Sequence, residues 1–158
     1  MSFPSGQFPQ VDQGESGIHV FVEDIEYVLP FSKEKMRDWL SDIVTREHHA
    51  LQEITIVLCS DEYLHRLNVE YLQHDTYTDI ITFPLAQDPL TAELYISIER
   101  IVDNAHFLEI EVDVELRRVM AHGVLHLCGY GDKTESEQLL MREKENECLL
   151  LWEAIATD

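Results

Sequence analysis

One stretch constrains the fold more than any other: Ala121-His122-Gly123-Val124-Leu125-His126-Leu127-Cys128-Gly129-Tyr130-Gly131-Asp132. It lies in an apolar, helix-forming run over about 113–128, and Gly129 stands where a helix-terminating glycine stands. Glycine adopts the left-handed backbone that ends a helix, and Tyr130 can then pack back on the last turn. His122 and His126 are four residues apart, so a helix stacks them on one face, where two imidazoles can share a metal ion. The turn after Gly129 lets Asp132 swing back as a third ligand. A lone histidine on such a helix is more often a satisfied core residue. The pair, the glycine stop and the following carboxylate together favour the metal site.

The flanking pattern predicts what packs around this helix. Residues 1–16, rich in Pro, Gly and Gln, lack periodicity and are expected to form a flexible tail. Short β-branched runs at 18–22 and 54–58 predict strands, the second apolar enough to be central. Between them Ser32 caps a helix through 49 with Met36, Trp39, Leu40, Ile43 and Val44 at helical spacing. Ser60 opens a short helix over 62–70, and a polar loop covers 71–78. A third strand over 79–83 is expected to stop at Pro84, and a turn at 87–89 joins it to a fourth over 92–98, close enough to pair antiparallel. A helix over 99–108 leads into the histidine helix. Thr134 and Glu137 form a capping box for a last helix to 155, expected to bury Leu140, Cys148, Leu151, Trp152 and Ile155. The order β-α-β-α-β-β-α-α-α predicts an α+β fold: a small mixed four-stranded sheet packed with about five helices, one of them a zincin-like two-histidine helix, in a single domain over 17–158.

Charge narrows the partners. The chain holds 11 Lys and Arg against 31 Asp and Glu, a net charge of −20. That field repels a polyanion at long range, so any contact with RNA must rest on a local patch or a bound metal. Lys33, Lys35, Arg37 and Arg46 lie on the first helix, where a solvated outer face outranks an RNA-binding one. Cys59, Cys128 and Cys148 are an odd, irregular set, expected to be reduced in a cytoplasmic protein. Cys128, two residues beyond His126, points off the imidazole face and is taken as core. No apolar run approaches the roughly 18 residues of a membrane span, and residues 1–17 show no secretory pattern.

A catalytic zinc keeps three protein ligands and an open fourth position, and His122, His126 and Asp132 would make such a set. In the metalloprotease pattern H-E-x-x-H the residue after the first histidine is a glutamate serving as general base. Here it is Gly123, which takes no proton, so peptide hydrolysis of that type is disfavoured. The zinc deaminase signature, G-x-S-x-G and phosphate-binding glycine loops are also absent. Metal-dependent hydrolysis or phosphodiester cleavage survives, with water or an RNA 2′-hydroxyl as nucleophile. Arg118, four residues before His122, is a candidate catalytic residue that would hold a phosphate with its guanidinium. Its competing role is an ion pair with Glu115.

His122-Gly123-x-Leu125-His126-Leu127-x-Gly129-Tyr130 resembles the YbeY family of bacterial metal-dependent endoribonucleases. A second block agrees: Leu67-Asn68, Tyr71, Asp75 and Thr78-Asp79-Ile80-Ile81-Thr82-Phe83-Pro84, with Asn104-Ala105 in a similar helix. The likeness spans about 54–152. It implies a zinc-bound, single-strand-specific endoribonuclease with one zinc ion per chain, acting in 3′-end maturation of 16S ribosomal RNA and in ribosome quality control. Ribosomal RNA and the small subunit or its proteins are the implied partners. The family motif usually ends Gly-Tyr-Asp-His, its last histidine being the third ligand. Here Asp132 holds that position and Gly131 the one before, giving a harder, more oxygen-rich set. Leu72 stands where many members carry an arginine, and Arg118 is the candidate to replace it. The alternative is a ribosome-assembly binding factor with a mainly structural metal, which the acidic surface favours because basic proteins would be attracted to it. An open fourth metal position marks catalysis, whereas closure by Glu135 or Cys128 marks structure.

Overall fold

A computed structural model describes residues 17–155, so the tail expected over 1–16 lies outside the described residues. Among the described residues there are four strands, β1 (Ile18–Val22), β2 (Leu51–Cys59), β3 (Ile80–Gln87) and β4 (Leu90–Ser97), and five helices, α1 (Lys33–Arg46), α2 (Asp61–Leu72), α3 (Ile98–Leu108), α4 (Val112–Leu127) and α5 (Glu135–Ala154). The sheet order is β1-β2-β4-β3, with β1, β2 and β4 parallel and β3 antiparallel to β4. The expected α+β fold with a mixed sheet is what forms. Among the described residues no helix is long and apolar enough to cross a membrane.

Alternation along the central strands separates two apolar layers. Ile54, Ile56 and Leu58 of β2, with Leu90, Leu94 and Ile96 of β4, face a large core shared with α1, α4 and α5. Val57, Cys59, Tyr95, Ile81 and Phe83 point to the opposite face, under Leu64 and Leu67 of α2. Both faces of the second half of β2 are therefore buried, which is why Ile56-Val57-Leu58-Cys59 is continuously apolar. Trp39 of α1 donates its indole N–H to the Cys148 carbonyl of α5 at 2.7 Å and meets Trp152 edge-on at 5.3 Å, tying the first helix to the last. The local signals hold: Ser32, Ser60 and Thr134 each cap a helix with their hydroxyls, and Thr134 and Glu137 close the reciprocal capping box.

Two expectations fail. β3 does not stop at Pro84 but runs on to Gln87, with a register shift between Pro84 and Ala86. It is an edge strand, so an imide nitrogen without a hydrogen removes no bond from a second neighbour. Leu140 is 45% exposed, because α5 buries Met141, Glu145, Cys148 and Trp152, a face offset by one residue.

Candidate functional site

α4 runs through the middle of the molecule and ends in a Schellman turn. Gly129 (φ 110°) donates its N–H to the His126 carbonyl at 3.1 Å, and Tyr130 donates to the Leu125 carbonyl at 3.1 Å. Tyr130 is pinned outside the turn by its hydroxyl, which donates to Glu47 Oε1 at 2.7 Å. Its carbonyl points back at the helix and lies 2.9 Å from His126 Nδ1. A carbonyl only accepts, so Nδ1 carries the hydrogen and Nε2 presents its lone pair.

His122 is held differently. Its Nδ1 lies 2.7 Å from Glu145 Oε2 on α5, and its Nε2 lies 3.4 Å from Asp132 Oδ2. The two imidazoles are nearly parallel (7°) with centroids 6.4 Å apart. The turn thus brings Asp132 back to His122, and both histidines have their Nδ1 atoms engaged. Among the described residues no three His, Cys, Asp or Glu side chains stand close enough to hold a metal ion as they are. His126 is exposed and Asp132 half-buried, so neither side chain is locked in place by packing. The chemistry fits a divalent metal: two nitrogen donors and a carboxylate, each imidazole backed by an acceptor on its other nitrogen, the usual arrangement around histidine ligands.

Gly123 sits where α4 crosses the sheet. A Cβ there would come 2.7 Å from Ile80 Cδ1 and 3.3 Å from Leu94 Cδ1. The residue that excludes the protease pattern is therefore the one that lets the helix lie on β3 and β4.

Arg118 is on the expected face of α4, in the same cleft wall as His122. Its guanidinium is clamped between two carboxylates, bonding Glu115 through Nη2 and Glu145 through Nη1 at 3.2 Å. Both acids are all but buried, Glu115 at 1% and Glu145 at 3% exposure. Burial works against the Glu145 carboxylate, but the bonds and charges of His122 and Arg118 outweigh it and hold its pKa below the usual value. The same hydrogen bond to Glu145 holds His122 above the ordinary imidazole range, despite burial. Burial pushes Asp79 upward, against the pull of His122 and Arg118.

The cleft has two lobes meeting at Asp79, Ile80, His122 and Asp132. The larger, about 390 Å³, is walled by Arg118, Met141, Arg142 and Glu145. The smaller, about 250 Å³, is walled by His126, Thr78, Thr82 and Lys133. Neither Glu135 nor Cys128 lines them, and burial pushes the Cys128 thiol up to about 11. Sequence reasoning missed Glu145 and Asp79 as members of this site. Glu145 sits in an acidic helix, and its only signal was falling in register with Cys148 and Trp152. Three of the four first-helix cations have partners: Arg37 donates to the Ile18 carbonyl, Arg46 pairs with Asp42, and Lys35 lies over Trp152.

Comparison with known proteins gives concordant matches. The family described as Endoribonuclease YbeY matches residues 22–153. Proteins named Endoribonuclease YbeY from Amoebophilus asiaticus and Christiangramia forsetii are 46% and 44% identical, over 86% and 87% of this chain and 93% and 96% of their own lengths. The solution structure of TM1509 from Thermotoga maritima aligns with a TM-score of 0.61 at 25% identity, covering 85% of this chain and 88% of that one.

Proposed function

The chain belongs to the YbeY endoribonuclease family, and from that premise we propose that it is a metal-dependent, single-strand-specific endoribonuclease of the cytoplasm. Its substrate is ribosomal RNA, its task 3′-end maturation of the 16S species and ribosome quality control, and the small subunit or its proteins are its partners. One domain, 17–158, carries the activity.

The observation that carries the reading is the pair of parallel imidazoles, each with Nδ1 engaged and Nε2 left for a ligand, beside the returning carboxylate of Asp132. His122, His126 and Asp132 would hold one zinc ion. Bound there, zinc supplies Lewis acidity that stabilises charge developing on a phosphoryl oxygen and acidifies water. Arg118 uses two of its five N–H donors on Glu115 and Glu145, which leaves three to take a phosphate oxygen in the larger lobe. Lys133 and Arg142 line the same cleft, so three of the eleven cations gather there, a local answer to the net charge of −20. Ile80 and Met141 supply the apolar wall.

A binding factor with a structural metal is the second reading, favoured by the overall acidity. The absence of Glu135 and Cys128 from the cleft lining supports the open, catalytic arrangement instead. The test is metal content and cleavage of single-stranded RNA by wild type, His126→Ala and Asp132→Ala. About one zinc per chain, with metal and cleavage lost in both variants, is expected. Metal retained in Asp132→Ala moves the third ligand elsewhere. Bound metal without cleavage supports the binding factor.

A further inference from the structure

Resting on the metal-centre reading, we propose that Glu145 is the positioning residue for His122: its carboxylate selects the imidazole tautomer and aims Nε2 into the cleft, and Arg118 holds Glu145 in place. The two glutamate oxygens divide the work. Oε2 lies 2.7 Å from His122 Nδ1, and Oε1 accepts from Arg118 Nη1 at 3.2 Å. An ionised carboxylate accepts and never donates, and Glu145 Oε2 lies closer to Nδ1 (2.7 Å) than Asp132 Oδ2 lies to Nε2 (3.4 Å), so in the neutral ring Nδ1 carries the hydrogen and Nε2 the lone pair. Glu115 grips the far side of Arg118, completing a chain Glu115–Arg118–Glu145–His122 in which every junction is a charge-assisted contact.

Three of the four groups are on α4, and only Glu145 comes from α5. The direction of Nε2 therefore depends on how α5 docks, which the buried face of Met141, Cys148 and Trp152 decides. His126 takes its anchor from the backbone of the glycine turn. The two histidines are thus set by two independent devices, one local and one tertiary.

The alternative role for Glu145 is to neutralise a semi-buried arginine, with His122 a bystander. Glu145→Gln separates the two. Arg118 only donates, so the glutamine oxygen must face Arg118 and its NH2 must face Nδ1, which becomes an acceptor. The hydrogen then moves to Nε2. The measurement is imidazole 15N chemical shifts of His122 in metal-free protein, at a pH where the ring is neutral, alongside zinc affinity by competition with a chromophoric chelator.

Wild type is expected to show the Nδ1–H tautomer. Glu145→Gln is expected to show Nε2–H and to bind zinc about 10- to 100-fold more weakly, the usual effect of losing such a partner. A wild-type Nε2–H tautomer overturns the proposal without any variant. So does a variant that keeps Nδ1–H, or one that switches tautomer with unchanged zinc affinity. A wild-type protein with the expected tautomer that takes up no zinc refutes the metal reading instead.

Discussion

Replacing Arg118 with methionine keeps much of the side chain's length and removes its charge. Glu115 and Glu145, 1% and 3% exposed, would then be left sharing a site without a cation between them. Removing one partner of a buried ion pair typically costs about 3–5 kcal/mol, because the remaining charge is desolvated and uncompensated. The lower half of that range applies here, since Glu145 keeps His122 and Arg142 beside it and Glu115 alone is left without a cation. For a chain of this size each kcal/mol lowers Tm by about 2–4 °C, so a fall on the order of 10 °C is expected. The cost should depend on pH in a definite sense. Burial already raises the Glu115 carboxyl. Without Arg118 it rises further, and a raised carboxyl gives stability at low pH that is lost as pH climbs through the folded value. The deficit of Arg118→Met should therefore shrink toward pH 5 and grow toward pH 8, and Glu115→Gln in the same chain should recover part of it. Urea and thermal unfolding of wild type, single and double variants read this directly. A loss below about 1 kcal/mol at neutral pH, the size of an exposed pair, would refute the reasoning. So would a deficit that does not change with pH. Cleavage of single-stranded RNA should be compared in the folded fraction only, where an unchanged rate removes the phosphate-binding role of Arg118.

Gly123→Glu would write the protease pattern into the sequence, yet a side chain there meets Ile80 and Leu94 and would bury its carboxylate without a partner. Circular dichroism should find the variant unfolded or destabilised by several kcal/mol, and no peptidase activity should appear. Thr134→Ala removes the hydroxyl that accepts from the Glu137 N–H, and should cost about 1 kcal/mol, seen as a lower urea midpoint at unchanged slope. In metal-free protein the raised His122 stabilises fully below its unfolded value of 6.5, a contribution lost as pH rises through the folded value. The lowered Glu145 stabilises above 4.5 and loses its contribution as pH falls through its folded value. Unfolding measured across pH in chelator should therefore show a His122–Glu145 contribution greatest between those values. A contribution that grows from pH 6 to pH 8 would contradict this.

Much of this protein was legible because its signals are local. A hydroxyl at Ser32, Ser60 or Thr134 caps a helix through bonds made three residues away, so spacing alone locates the helix start. Gly129 likewise announces its turn, and the turn brings Tyr130 and Asp132 back toward the histidines. The β-branched run of β2 alternates between two buried faces and identifies itself as a central strand. Where the reading slipped, the deciding contact was distant in sequence. Pro84 can lie within a strand because β3 happens to be at the edge of the sheet, a property of strand order. Leu140 looked as apolar as Met141, and the way α5 rotates against α4 decided which of them is buried.

The candidate site divides along the same line. Helical periodicity and chain connectivity are enough to place the two imidazoles on one face, the glycine that ends their helix, the carboxylate in the turn and the arginine one turn earlier. What stands behind them comes from packing between distant segments. Asp79 arrives from the start of the edge strand, and Glu145 crosses from the last helix to take His122 by its Nδ1 and Arg118 by its guanidinium. No rule of spacing links residues 122 and 145. A glutamate in an acidic helix is ordinarily solvated, and this one is buried because the face of α5 that carries Met141, Cys148 and Trp152 has to close on the core.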